Sequence, residues 1–193
     1  MMRVVVPKPL QPGDSVAVFL PARSVDFKDI GFVLQLLKSQ GLRISDLHAV
    51  GKHYYQYPLP DAERADLINK QLQDDSISML WTGRGGLGTL PILDRIQWFR
   101  LAEKPKWIMG YSDITAVLMH LWTNYTLVTI HGPVMRDLKE ALNLLELTET
   151  PPSFEWKPRF ILNPGTVSGH FIGGNLSMIY SLVGSNSLPT NWQ

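Results

Sequence analysis

The apolar positions of this chain change period several times along its length. Residues 15–22, SVAVFLPA, form an almost unbroken apolar run, the mark of a buried strand. Ile30, Val33, Leu34 and Leu37 then recur at helical spacing, and Gly41 stands where a helix C-cap belongs. Residues 42–50, LRISDLHAV, predict a second strand, followed by the aromatic loop KHYYQYPLP. Asp61 is placed to cap a helix whose inner face is Ala65, Ile68 and Leu72. The run SISMLWT at 76–82 predicts a strand, GRGGLG a glycine loop, and residues 90–96 a short helix. A further strand at 106–110 precedes a helix with the stripe Ile114, Val117, Leu118, Leu121 and Trp122. LVTIHGP at 127–133 closes the series, with a helix expected near 136–147.

Strands alternating with helices predict an α/β fold, a mostly parallel sheet with helices on both faces of flavodoxin- or Rossmann-like type. Sites in such sheets lie beyond the carboxyl ends of the strands. Three loops converge there: PAR after the first strand, GRGGLG, and GYSD. Near residue 151 the pattern breaks into TETPPSFEWKP, which is proline-rich and aperiodic. The chain therefore divides into an α/β domain at 1–150 and the truncated start of a second domain at 151–193. The second part is expected to hold two strands around the Asn163-Pro164-Gly165 turn, then a helix from Asn175 with an apolar stripe of Leu176, Ile179, Tyr180 and Val183.

Composition narrows the picture. At 193 residues, 45% hydrophobic and 18% charged, the chain can bury one core and begin another. No apolar run reaches the roughly 20 residues of a membrane span, and MMRVVVPKPL is no secretory signal. The absence of cysteine removes disulfide and thiolate chemistry and fits a cytoplasmic protein. A formal net charge of +1 gives no reason to expect nucleic acid or an anionic membrane as partner. A small molecule or another protein is the expected partner, and an apolar stripe left without cover allows a homodimer.

Candidate chemistry sits in the loops. Gly83, Gly85 and Gly88 fit the dinucleotide fingerprint G-x-G-x-x-G. Against it, the loop follows a late strand, the helix after it is short and carries Pro91, and no acidic residue ends the next strand. Tight-turn glycines, or backbone N–H groups turned toward a ligand oxygen, are the other readings. GYSD has the form of a nucleophile elbow, with Ser112 exposed above the sheet at a sharp strand-to-helix corner. The four letters alone favour a plainer role, with Ser112 or Asp113 capping the helix. His131 in HGP sits at a strand end, where it either reaches the site or bonds a backbone carbonyl. His120 lies off the apolar stripe and is expected to face solvent. His48, His53 and His170 have no partner at metal-ligand spacing, so neither a metal nor a cofactor is expected.

Taken together, PGDSVAVFLPA, ADLINKQLQDDSISMLWTGRGGLG, KPKWIMGYSDITAVLMHLW, HGP and FIGGNLSMIYSLVGS resemble the LD-carboxypeptidase family of serine peptidases, which includes the microcin C immunity peptidases. The resemblance reverses the preference at Ser112. It implies Ser112 as nucleophile, the Asp113 N–H as one oxyanion donor, and Gly86 within the Gly85–Gly86 loop as the other. It also places Arg84, Tyr111 and His131 at the substrate. The implied substrate is a murein peptide, cleaved between an L- and a D-centre to release terminal D-alanine in cell-wall recycling, or a related peptide conjugate in the immunity branch. The family completes its triad with a glutamate and a histidine beyond the GGNL segment. Residues 185–193, SNSLPTNWQ, offer neither. The chain alone is expected to be inactive, or to be a degenerate homologue that binds muropeptide without cutting it.

Overall fold

A computed structural model describes residues 3–150, 153, 157, 159–160 and 162–189. Five strands form one sheet: β1 (Ser15–Phe19), β2 (Arg43–Ser45), β3 (Ile77–Thr82), β4 (Trp107–Gly110) and β5 (Ile130–His131). All neighbours are parallel, in the order β2-β1-β3-β4-β5. The strand order reverses between β1 and β3, and such a switch point opens a crevice at the carboxyl edge.

The period-2 alternation of the strands divides the core in two. Ala17 and Phe19 of β1, Leu80 of β3 and Ile108 of β4 face one side. There they meet Ala65, Ile68 and Leu72 of α2 (Asp61–Gln73), and Val117, Leu118 and Leu121 of a later helix, Thr115–Tyr125. Val16, Val18, Met79, Trp81, Trp107 and Met109 face the other side, against Ile30, Val33 and Leu37 of α1 (Phe27–Ser39). The helices therefore cover both faces, as the alternation of elements predicts.

Between β3 and β4 lie a 3-10 helix at Leu90–Arg95 and the short α3 (Arg100–Glu103). The helix after β4 is α4 (Thr115–Tyr125), and α5 (Leu144–Glu149) and α6 (Leu176–Ser181) complete the set. Glycine serves the corner before α4 directly: a Cβ on Gly110 would lie 2.6 Å from Thr82 Oγ1 and 2.9 Å from Ile114 Cγ2.

Several elements depart from the sequence expectation. β2 ends at Ser45 because Asp46 takes φ +52° and residues 47–51 turn. Asp61 does not cap α2; Pro60 stands at the cap position, and the Asp61 carboxylate accepts a hydrogen bond from Arg64 at 2.6 Å. The helix expected at 136–147 is replaced by one 3-10 turn, Met135–Asp137, and by α5. Met135 and Leu144, nine residues apart, both pack into the α1-side core, and an irregular crossing brings them there. No strand occurs among the described residues of 160–175. Leu162, Val167 and Phe171 are each more than nine-tenths exposed, so none of the three is buried against a second sheet among the described residues. Most of the proline-rich stretch at 151–158 lies outside the described residues.

Candidate active site

The carboxyl edge brings the three loops together. β4 ends at Gly110, Tyr111 is extended, and Ser112 turns the chain with φ +62° into a single 3-10 turn and then α4. A serine in the left-handed region costs about 1–3 kcal/mol and persists only where the surroundings enforce it. Here the surroundings are the buried Gly110 corner behind it and the buried Asp113 and Ile114 ahead. Capping does not account for the turn, since neither Ser112 nor Asp113 caps α4 with its side chain.

Gly85 lies directly against this serine. A methyl group at Gly85 would stand 3.4 Å from Ser112 Cβ and 3.8 Å from Ser112 Oγ. Gly86 holds φ +118°, and a Cβ there would come within 2.6 Å of Arg23 Cδ. Among the described residues, no recorded hydrogen bond uses the N–H of Gly85, Gly86 or Asp113. Free N–H groups beside a serine hydroxyl are what an oxyanion requires.

The Asp113 side chain has a role that its four-letter motif does not reveal. It is 2% exposed, and its Oδ2 accepts the Thr89 N–H at 3.0 Å, tying the end of the glycine loop to the elbow. Burial pushes its carboxyl above the usual range, opposed by hydrogen bonding from Thr89 and by the Arg64 charge. Arg64 supports the same loop from the other side. It is 1% exposed, donates to the carbonyls of Pro21 and Gly88, and stacks over the Tyr57 ring at 4.6 Å. An arginine four residues before Ile68 on the core-facing stripe of α2 is the sequence signal for this clamp.

The remaining candidates occupy the same edge. Arg84 donates to the Ser24 carbonyl at 3.2 Å. Burial lowers its pKa, as do the charges of Arg136 and Arg23. Tyr111 donates to Asp137 Oδ2 at 2.5 Å, a bond that raises its pKa. The Tyr111 and His131 rings meet edge-on at 6.5 Å. His131 is exposed and, among the described residues, its ring makes no recorded hydrogen bond to a carbonyl. His120 is half-buried instead of solvent-facing: its Nδ1 meets Ser187 Oγ at 2.8 Å, because residues 182–189 fold back over α4. His53 bridges Ser24 Oγ at 3.0 Å and Asp26 Oδ1 at 2.9 Å, fixing the loop after β1.

Residues 16–132 match the LD-carboxypeptidase N-terminal domain family. The chain belongs to the LD-carboxypeptidase family. It is similar to a protein of Bacillus subtilis named "probable murein peptide carboxypeptidase", at 32% identity over 93% of this chain and 60% of the relative. The microcin C7 self-immunity protein of Escherichia coli is 24% identical over 94% of this chain and 64% of that protein. Among solved structures, the muramoyltetrapeptide carboxypeptidase of Oxalobacter formigenes aligns with a TM-score of 0.76 at 27% identity, covering 91% of this chain and 62% of that one. The chain thus spans about three-fifths of the length of these LD-carboxypeptidase relatives.

Proposed function

We propose that this chain is the nucleophile-bearing part of a serine LD-carboxypeptidase. In this reading Ser112 attacks the carbonyl of an L,D amide, and the N–H groups of Asp113 and Gly86 receive the oxyanion, with Gly85 keeping the space above the hydroxyl open. The observation that carries the reading is Ser112 at φ +62° with the Gly85 backbone beside its Oγ. A residue accepts that strain where the corner requires it, and an elbow requires it. The substrate is a murein tetrapeptide that loses its terminal D-alanine in cytoplasmic cell-wall recycling. The Bacillus relative, more similar than the immunity protein, favours this substrate over an antibiotic conjugate.

Among the described residues, no recorded hydrogen bond joins Ser112 Oγ to a histidine or a carboxylate. A serine at its free pKa is a weak nucleophile. In this reading the glutamate and histidine of the triad come from the portion of the relatives that this chain does not span. The test is a fusion of residues 1–184 to the corresponding C-terminal portion of the Bacillus protein, assayed for D-alanine release from murein tetrapeptide by chromatography. The fusion is expected to release D-alanine at an ordinary enzymatic rate, and the 193-residue chain to stay at background. Release by the short chain, abolished by Ser112→Ala, would move the base into this chain. A folded fusion that releases none would sink the proposal.

A further inference from the structure

Three arginines gather around the glycine loop beside Ser112. Arg84 is part of the loop. Arg23, at the end of the β1 loop, lays its side chain along Gly86, so close that no Cβ fits between them. Arg136 is fastened to the loop by its backbone, whose N–H donates to the Gly83 carbonyl at 3.1 Å. The ion pairs of the described residues are His53–Asp26, Arg64–Asp61, Arg100–Glu103 and Lys104–Asp75, and none of them uses these arginines. The Arg23 Nε is buried with no hydrogen-bond partner. Arg84 spends one donor on the Ser24 carbonyl, and a guanidinium has five. Asp29 and Asp137 attract the Arg84 charge, as does Asp26, while Arg136 and Arg23 repel it. Asp137 is also engaged by the Tyr111 hydroxyl.

Three like charges gathered at one loop repel one another in the free protein, carboxylates nearby offset part of that repulsion, and a bound anion relieves more of it. We propose that Arg84, Arg136 and Arg23 form the binding site for an oxyanion of the substrate, the free carboxylate of the residue that is released. This rests on the reading of Ser112 given above. Covalent geometry supplies the match: in a peptide ending in a free carboxylate, the carboxylate carbon lies on the order of 3–4 Å from the scissile carbonyl carbon. The group that holds it must therefore come from the loop that borders the nucleophile. Arg84 lies in that loop, Arg23 packs on it and Arg136 is bonded to it. A guanidinium grips a carboxylate bidentately, so the site fixes the orientation of the terminal residue as well as its charge. A chain cut internally carries an amide at that position and leaves the arginines unpaired. The cluster thus selects for cleavage at the last residue.

The test is a binding measurement on the 193-residue chain, so it does not depend on a complete triad. Isothermal titration would compare the tetrapeptide L-Ala-γ-D-Glu-L-Lys-D-Ala, its C-terminal amide, and an amidated peptide bearing a carboxylate on the third side chain. Amidation is expected to weaken binding about tenfold to a hundredfold, the range for a lost charge-assisted contact. In Arg84→Gln and in the exposed Arg136→Gln, acid and amide should bind within threefold of each other, with the fold verified by circular dichroism. Ser112→Ala should keep the full discrimination, which separates failure of this proposal from failure of the serine assignment. Equal binding of acid and amide by the parent chain, or no binding of either at millimolar concentration, would overturn the proposal. Recovery by the side-chain carboxylate would overturn it in favour of a pocket for the preceding residue.

Discussion

Helix α4 presents two contrasting regions, one at its N-terminal end and one along its outer side. At the N-terminal end, Gly110, Ser112 and Asp113 stand in a corner where a single added carbon at Gly110 meets three atoms of Thr82 and Ile114 within 3.1 Å, and where a buried carboxylate ties two loops. Along the outer side, α6 rests on Ala116 and Met119 through little more than Met178 and Leu182. Ile179 packs there in part, while much of the apolar surface of α6 and the residues after it remains in water: Leu176 and Tyr180 are each 79% exposed and Val183 is 66% exposed. The first region has one conformation available because packing and hydrogen bonds enforce it. The second has a helix and a Thr115 hydroxyl bonded to the Asn175 N–H at 3.0 Å, with few further constraints. Precision at such a corner comes from backbone approach and buried polar ties, which a short amphipathic helix does not supply.

The two regions should respond very differently to substitution. Gly110→Ala drives a methyl into Thr82 and Ile114, and should destabilise by about 1–3 kcal/mol in urea titration; an effect below 0.5 would mean that the corner is soft. Asp113→Ala strands the buried Thr89 N–H and should cost about 1–3 kcal/mol. Asp113→Asn retains an acceptor and removes a buried charge, so it should cost less than half as much. Equal losses from the two variants would show that the charge, and not the tie, holds the loop.

The outer region should respond to pH. Burial holds His120 below its ordinary value of 6.5, with Asp94 opposing. A histidine with a depressed folded pKa binds fewer protons folded than unfolded, so its stabilising contribution is full above 6.5 and is lost as pH falls through and below that value. Hydrogen exchange of residues 182–189 should quicken between pH 6.5 and 5, after correction for intrinsic rates, while that of 107–110 stays constant. Parallel acceleration of both segments would contradict the contrast. The smallest effect is expected on α6 itself. Leu176→Gln should shift stability by less than about 0.5 kcal/mol, as exposed positions do.

The same contrast explains what the sequence discloses. β1, β3, β4 and α4 are legible because each carries long apolar runs or a full stripe fixed by the sheet. The glycines of GRGGLG and the GYSD corner are legible as unusual backbone because few residue types tolerate it. Arg64 and the Asp113–Thr89 tie are not, since a charged residue in a motif says nothing about burial until the loops meet. His120 misleads for a related reason. Its position off the helical stripe is correct, but its cover comes from residues 182–189, more than sixty positions away. In 160–175 the apolar letters suggest strands, yet alternation alone cannot form a strand without a neighbour to pair.

The central claim is that Ser112 is the nucleophile, and one measurement addresses it most directly. In the fusion that supplies the C-terminal portion, D-alanine release is compared for Ser112 and for Ser112→Ala at matched expression and fold. Triad residues act as a unit, so the rate should fall by at least about a thousandfold. A Ser112→Ala fusion that retains activity within tenfold of its parent would contradict the account and leave the strained elbow without a chemical purpose.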